Sequence, residues 1–313
     1  LKTLFFDTVK DLQLSYTEIC TQVDTTQESQ DYGWLGAIPS IREFIDERVA
    51  KGMAEFGFIL RDKTWEATIA IERRAIENDQ YGAINLKVKM LADAMVKGVN
   101  KLAWTVLREG NTGTYGRSWD NYQTDGTLSS ATIYFNDTDH AYPAPAEYTT
   151  AHANKAANAL SGANFWLAYQ AMKAFKDDRG EYIDNVPNLL VCSPKVESTG
   201  LEIIKSPQGG IDGSKMYINS VAETSVNRVI APAYWSADTA GNTSNWGLYK
   251  TNGIVKPLIL QLFTPAANGQ LFEFTSLTQG EEAFMRDKWL FGIRGRWNIG
   301  YGDWRTSYLN VVA

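Results

Sequence analysis

KTWEATIAIERRAIENDQYG, residues 63–82, opens on a strict alternation. Trp65, Ala67, Ile69 and Ile71 fall on one side and Glu66, Thr68, Ala70 and Glu72 on the other, the period of a half-buried strand. A long helical pattern follows at once. The stretch has no histidine and no cysteine, so its careful patterning asks for a structural use rather than a chemical one.

Upstream, Gly57–Leu60 reads as a second strand, with Arg61-Asp62-Lys63 as a charged turn, and the two strands read together as a β-hairpin. Downstream, Tyr81, Ile84, Val88, Leu91, Ala92, Met95, Val99, Leu102, Ala103, Val106 and Leu107 recur at helical spacing. They predict a helix over 80–109, capped by Asn78 or Asp79 and ended at Gly110, where a left-handed residue is wanted. A helix of about 30 residues is about 45 Å long, natural for a structural strut.

Residues 1–33 read as an N-terminal arm: an amphipathic helix with Leu4, Phe5, Val9, Leu12, Tyr16 and Ile19, then the polar linker TQVDTTQESQD. Residues 110–150 are loop-rich. A second helical region covers 149–177, broken near Ser161-Gly162, and NLLVCSPKVE is a buried strand stopped by Pro194. From residue 215 the chain is β-rich, with strands in VNRVIAPAYW, GLYKTNG, KPLILQLF and KWLFGIRGRWNIGYGDW. This order is α+β.

The 313 residues are 44% hydrophobic and 21% charged, an ordinary globular composition with ample core. A net charge of −6 argues against gripping nucleic acid over the whole surface, which takes clustered Lys and Arg. Cys20 and Cys192 stand far apart and outside any CxxC context, so they read as reduced thiols of a cytoplasmically made protein. His140 and His152 alone weigh against a histidine zinc site or a Ser-His triad. No run is long enough to span a membrane and no signal peptide is visible. The first residue is Leu1, so either processing removed a start or the chain as written omits it.

Constellations that could carry chemistry are weak. Asp137 and Asp139 beside His140 lack the Gly and distal Glu of a calcium loop, and a polar turn accounts for them. Glu77-Asn78-Asp79 suits a helix start. Arg294, Arg296 and Arg305 among Trp289, Phe291, Trp297, Tyr301 and Trp304 could suit single-stranded nucleic acid. The alternation Phe291, Ile293, Gly295, Trp297, Ile299 equally describes a strand with Arg294, Arg296 and Asn298 on its other face. No phosphate-loop, dinucleotide, GxSxG, HExxH or zinc pattern appears. No catalytic, cofactor-binding or metal-ligating residue is assigned.

The segment DYGWLGAIPSIREFIDERVAKGMAEFGFILRDKTWEATIAIERRAIENDQYG resembles the Mu-like prophage major head subunit family, gpT. The resemblance lies in Trp34-Leu35-Gly36, Pro39, Arg42-Glu43-Phe44 and Glu47-Arg48. It continues through Lys63, Trp65-Glu66, Thr68-Ile69, Ile71, Arg73, Ile76-Glu77 and Asp79. It is dense over 32–110, looser over 130–205, and topological beyond. It implies a tailed-phage major capsid protein of the Hong Kong 97 type fold, with no catalysis of its own. The parts it implies are an arm at 1–33, an extended β-hairpin loop with its flanks at 34–79, and a spine helix of a peripheral domain with a possible insertion at 80–139. An axial domain at 140–225 and a return to peripheral strands at 226–313 complete them.

The resemblance further implies self-association into hexamers and pentamers of an icosahedral shell. The shell would enclose double-stranded DNA without sequence-specific binding, and scaffold, maturation protease and portal would be partners. The place of assembly would be the host bacterial cytoplasm, the destination the virion, and Leu1 a possible maturation cut. Trp34, Arg42, Glu47, Arg48, Trp65, Glu66, Ile69 and Ile71 are the inter-subunit contact candidates, since a projecting hairpin gains contact area without enlarging the core. Two other readings stand beside this one. One is a carbohydrate-active hydrolase using two of Asp137, Asp139 and Glu147. The other is a cargo-holding nanocompartment shell of the same fold.

Overall fold

The computed structural model describes residues 2–12, 14–32, 58–78, 82–121, 132–141, 150–177, 179–206, 208–211, 215–235, 244–264, 271–279 and 281–312. In chain order the elements begin with α1 (Lys2–Asp11), α2 (Tyr16–Ile19), β1 (Cys20–Thr25), β2 (Ser29–Asp31), β3 (Ile59–Arg61) and β4 (Lys63–Glu72). Next come α3 (Arg73–Glu77), α4 (Ala83–Arg108), β5 (Lys155–Ala156), α5 (Gly162–Lys173), β6 (Leu189–Cys192) and α6 (Glu197–Lys205). β7 (Gln208–Ile211), β8 (Lys215–Ile218), β9 (Arg228–Ile230), β10 (Trp246–Tyr249) and β11 (Leu258–Phe263) follow. The chain closes with β12 (Glu273–Leu277), α7 (Glu281–Arg286), β13 (Lys288–Tyr301) and β14 (Ser307–Asn310).

Two five-stranded sheets organise the molecule. The first runs β1-β11-β13-β12, with β4 on the other edge of β13. β4 lies antiparallel along β13 from Lys63 opposite Trp297 to Glu72 opposite Lys288. The predicted alternation is realised: Ile71 is buried and Trp65, Ala67 and Ile69 pack against the core, while Glu66, Thr68, Ala70 and Glu72 are exposed. β13 alternates in the same sense, with Phe291, Ile293, Trp297 and Ile299 buried. Gly295 is obligatory in that strand, because a Cβ there would meet the Leu271 carbonyl at 2.8 Å and Trp297 Nε1 at 2.9 Å. Ile84, Val88, Leu91, Ala92, Val99, Ala103 and Val106 form the buried stripe of α4, which packs across β13.

The second sheet runs β5-β14-β10-β6-β9. β6, β10 and β14 are buried at every position; β6 and β10 accordingly read as apolar or aromatic runs and not as alternations, while β14 buries Ser307 and Asn310 as well. α5 and α6 pack on this sheet. Ser161 caps α5, accepting from the Asn164 amide at 3.2 Å. At the junction of the two sheets the Tyr301 hydroxyl donates to the carbonyls of Val106 and Glu109 at the end of α4.

Several expectations change. Gly57–Leu60 and Trp65–Ile71 do not form a hairpin: β3 pairs antiparallel with β2, and β4 pairs with β13. A single residue, Asp62, separates β3 from β4, too little for a two-residue hairpin turn. The polar stretch after Cys20 is not a linker, because β1 pairs in parallel with β11 and β2 pairs with β3. Backbone pairing to the apolar β11 needs no apolar sequence in β1. The 1–33 segment lies against its own chain as far as it is described, with Phe5, Tyr16, Ile19 and Tyr32 buried.

α4 starts at Ala83 behind Gly82, whose φ of 67° is left-handed, and not behind Asn78; Asp79 lies outside the described residues. Gly110 is not left-handed. It is required because a Cβ would meet Asn136 Oδ1 at 2.5 Å. The second helical region is helical only from Gly162. The strands after residue 226 divide between the sheets, β9, β10 and β14 going to the second and β11, β12 and β13 to the first.

Candidate assembly surface

The residues that looked most like chemistry are structural. His140 is fully buried, its Nδ1 2.7 Å from Asp120 Oδ2 and its Nε2 3.1 Å from Asn154 Oδ1. Asn154 Nδ2 donates to the carbonyls of Phe135 and Trp304, which fixes its oxygen toward the imidazole. The His140 ring stacks on Trp304 with centroids 4.0 Å apart. Asp137 accepts from the amides of Tyr134 and Thr138 at 2.9 Å each, the polar turn anticipated for it. Partial desolvation, then the charge of Asp137, raises the Asp139 carboxyl above its ordinary range. Glu147 lies outside the described residues. Among the described residues no three His, Cys, Asp or Glu side chains are grouped to hold a metal ion, and no helix is long and apolar enough to cross a membrane. Cys20 and Cys192 are free and buried, and burial pushes the Cys192 thiol up to about 12.

Of the three arginines among aromatics, Arg296 and Arg305 are held in ion pairs. Arg296 pairs with Asp62 at 2.7 Å and lies 3.7 Å over the Phe263 ring. Arg305 pairs with Asp303 at 2.7 Å, at the edge of an open cleft of about 560 Å³ that Asp177, Asn185 and Lys250 also line. Arg294 stands in register between Glu66 of β4 and Glu273 of β12. Cross-strand charge alternation of this kind neutralises a sheet face instead of making it an anion groove.

The contact candidates split. Trp34, Arg42, Glu47 and Arg48 lie outside the described residues. Trp65 stacks on Trp297 at 4.9 Å, and its Nε1 donates to the Trp297 carbonyl at 2.9 Å. Ile69 and Ile71 pack into the same core. Among the described candidates Glu66 alone is exposed, on the outer face shared by Thr68, Glu72 and Arg294.

Two exposed features escaped the sequence reading. On α4, Leu86 and Met90 are 60% and 62% exposed, one turn apart, on the face away from the core stripe. On α7, Phe284 and Met285 are 87% and 71% exposed. The signal for the first pair was present: both are apolar residues out of phase with the stripe of Ile84, Val88 and Leu91.

The model of the family described as Mu-like prophage major head subunit gpT matches residues 1–158, 146–230 and 223–311. The chain is 27% identical over 294 residues to the Mu-like prophage FluMu major head subunit of Haemophilus influenzae, covering 94% of this chain and 65% of that protein. It is 27% identical over 104 residues to the major capsid protein of Escherichia phage Mu, covering 33% of this chain and 34% of that one. The chain thus spans just under two thirds of the length of the first relative and about a third of the second. A chain of the procapsid of bacteriophage JBD30 superposes with a TM-score of 0.51 at 23% identity, over 100% of this chain and 74% of that one. The fold is that of Hong Kong 97 type phage capsid subunits.

Proposed function

The chain belongs to the Mu-like prophage major head subunit gpT family, and from that membership we propose that it is the shell-forming subunit of a tailed-phage head. The observation that carries this is the family match running from residue 1 to 311. The subunit assembles with copies of itself into hexamers and pentamers of an icosahedral shell around double-stranded DNA, with no catalysis of its own. The first sheet with α4 is the peripheral unit, and the second sheet with α5 and α6 is the axial unit. Residues 32–58, between β2 and β3, form the extended loop, shorter than the 34–79 span expected from sequence because β4 is consumed by the first sheet. Scaffold, maturation protease and portal are its partners in the host cytoplasm, and the virion is its destination.

The state of Asp137, whose carboxylate accepts from two backbone amides, supports this reading over a hydrolase. Net charge of −6 suits a wall that encloses DNA without gripping it. Electron microscopy of the protein expressed with its scaffold and protease tests the proposal. Closed shells are expected, and a strictly monomeric product would sink it. Shells filled with protein cargo and excluding DNA would favour the nanocompartment reading.

A further inference from the structure

α4 is a basic element in an acidic chain. It carries Lys87, Lys89, Lys97, Lys101 and Arg108 against Asp93 alone, while the whole chain has a net charge of −6. Lys97 is held by Asp93 at 2.6 Å and Arg108 by Glu109 at 2.6 Å. Among the described residues no ion pair engages Lys87 or Lys89, and both are exposed. At 100° per residue, these two lysines flank the line through Leu86 and Met90 on either side. The result is an exposed apolar pair between two uncommitted cations.

α7 is acidic at its start and closes on Arg286. Its sequence is EEAFMR, with Glu281 and Glu282 ahead of the exposed pair Phe284 and Met285. It forms the connection between β12 and β13. A soluble chain gains nothing by keeping two large side chains this exposed side by side, and such a patch marks a contact site.

We propose that α7 of one copy docks on the N-terminal half of α4 of a second copy. Phe284 and Met285 would lie against Leu86 and Met90, and the acidic sequence that opens α7 complements the lysines of α4 in sign of charge. The occupant is chosen by complementarity in both apolar character and sign of charge. Nucleic acid would match the lysines but leave Leu86 and Met90 without a use. A knob on one element meeting a stripe on another is a heterologous contact, the kind that closes into rings when its rotation repeats. The inference rests on the shell reading and names one of its interfaces.

The test is charge exchange in the assembly assay. Lys87→Glu with Lys89→Glu, and separately Glu281→Lys with Glu282→Lys, should each lower the yield of sedimenting shells about tenfold or more while leaving subunit melting unchanged. Combining all four substitutions should restore most of the yield. Wild-type yields from both reversed subunits, or a combination no better than either, would overturn the contact while leaving the head-subunit reading intact. If the unaltered protein forms no shells, that reading falls, and the contact is still read directly. A Met90→Cys subunit mixed with a Phe284→Cys subunit should give a disulfide-linked heterodimer on mild oxidation, since the native cysteines are buried. Absence of that species would overturn the inference.

Discussion

The Tyr32 amide donates to the Phe58 carbonyl at 2.8 Å, and the two rings lie 6.1 Å apart. The chain that leaves at Tyr32 therefore comes back at the same point, clamped on one side by the β2–β3 pair and on the other by the Tyr32 hydroxyl, 3.0 Å from Gln261 Oε1.

A short Gly-Ser turn in place of residues 33–57 should accordingly leave a folded, soluble subunit. Loop-closure entropy changes only slowly with length, and the base contacts are retained. Shell formation should be lost, because the excised segment holds Trp34, Arg42, Glu47 and Arg48. Circular dichroism melting and negative-stain microscopy report the two halves of the prediction separately. Normal shells from the shortened chain would show that the segment is not the extended loop.

The alternation of β4 makes a paired prediction at neighbouring positions. Trp65→Ala removes the stack on Trp297 and the hydrogen bond to its carbonyl, and should cost about 3 kcal/mol of subunit stability. Glu66→Ala, on the solvent face, should change stability by less than about 0.5 kcal/mol. Urea unfolding of the unassembled subunits measures both. Equal costs would mean that the strand does not present these faces.

How legible this was in the sequence depends on the kind of information each element carries. β4, β13 and α4 could be read because one face of each is buried, so burial writes a period into the side chains. Partners could not be read, because β4 pairs with residues more than 200 positions away and the local turn at Asp62 imitates a hairpin. β1 and β2 were missed for a related reason: their place in a sheet is fixed by backbone hydrogen bonds, to which Thr, Gln and Asp contribute as well as Val does. The division of the last strands between two sheets is likewise a matter of pairing. For the candidate surface, the sequence located Trp65, Ile69 and Ile71 on a patterned strand but could not say that the pattern serves its own core. Leu86 and Met90 were readable as apolar residues out of phase with a helix stripe. Phe284 and Met285, in a six-residue helix, have too little sequence around them to show a phase.

The buried polar knot gives a larger effect. His140→Phe keeps the stack on Trp304 but leaves Asp120, itself buried, without its imidazole partner. Stranding a buried hydrogen-bonding group typically costs about 1–3 kcal/mol, and more for a carboxylate, so a loss at or above the top of that range is expected here. Asp120→Leu combined with His140→Phe should cost less than the sum of the single changes, since neither member is then stranded. A double-mutant cycle by chemical unfolding decides it, and strict additivity would mean that the two residues stabilise independently.

His152 supplies a pH dependence of determinate sign. It is half-buried, edge-on to Phe175 at 5.8 Å, and its backbone pairs with that of His140. Burial lowers its tendency to protonate, and the charges of His140 and Lys176 act in the same direction. The folded chain therefore binds this proton at lower pH than the unfolded chain, whose imidazole titrates near 6.5. Above that value neither state is protonated and stability is unaffected. As pH falls below it, the unfolded state takes up a proton that the folded state does not, and stability declines until the folded value is passed. Unfolding midpoints measured from pH 8 to 5 should fall more steeply for the unaltered subunit than for His152→Gln, which has no group to titrate there. Parallel curves for the two proteins would show that His152 is as free to protonate in the fold as outside it.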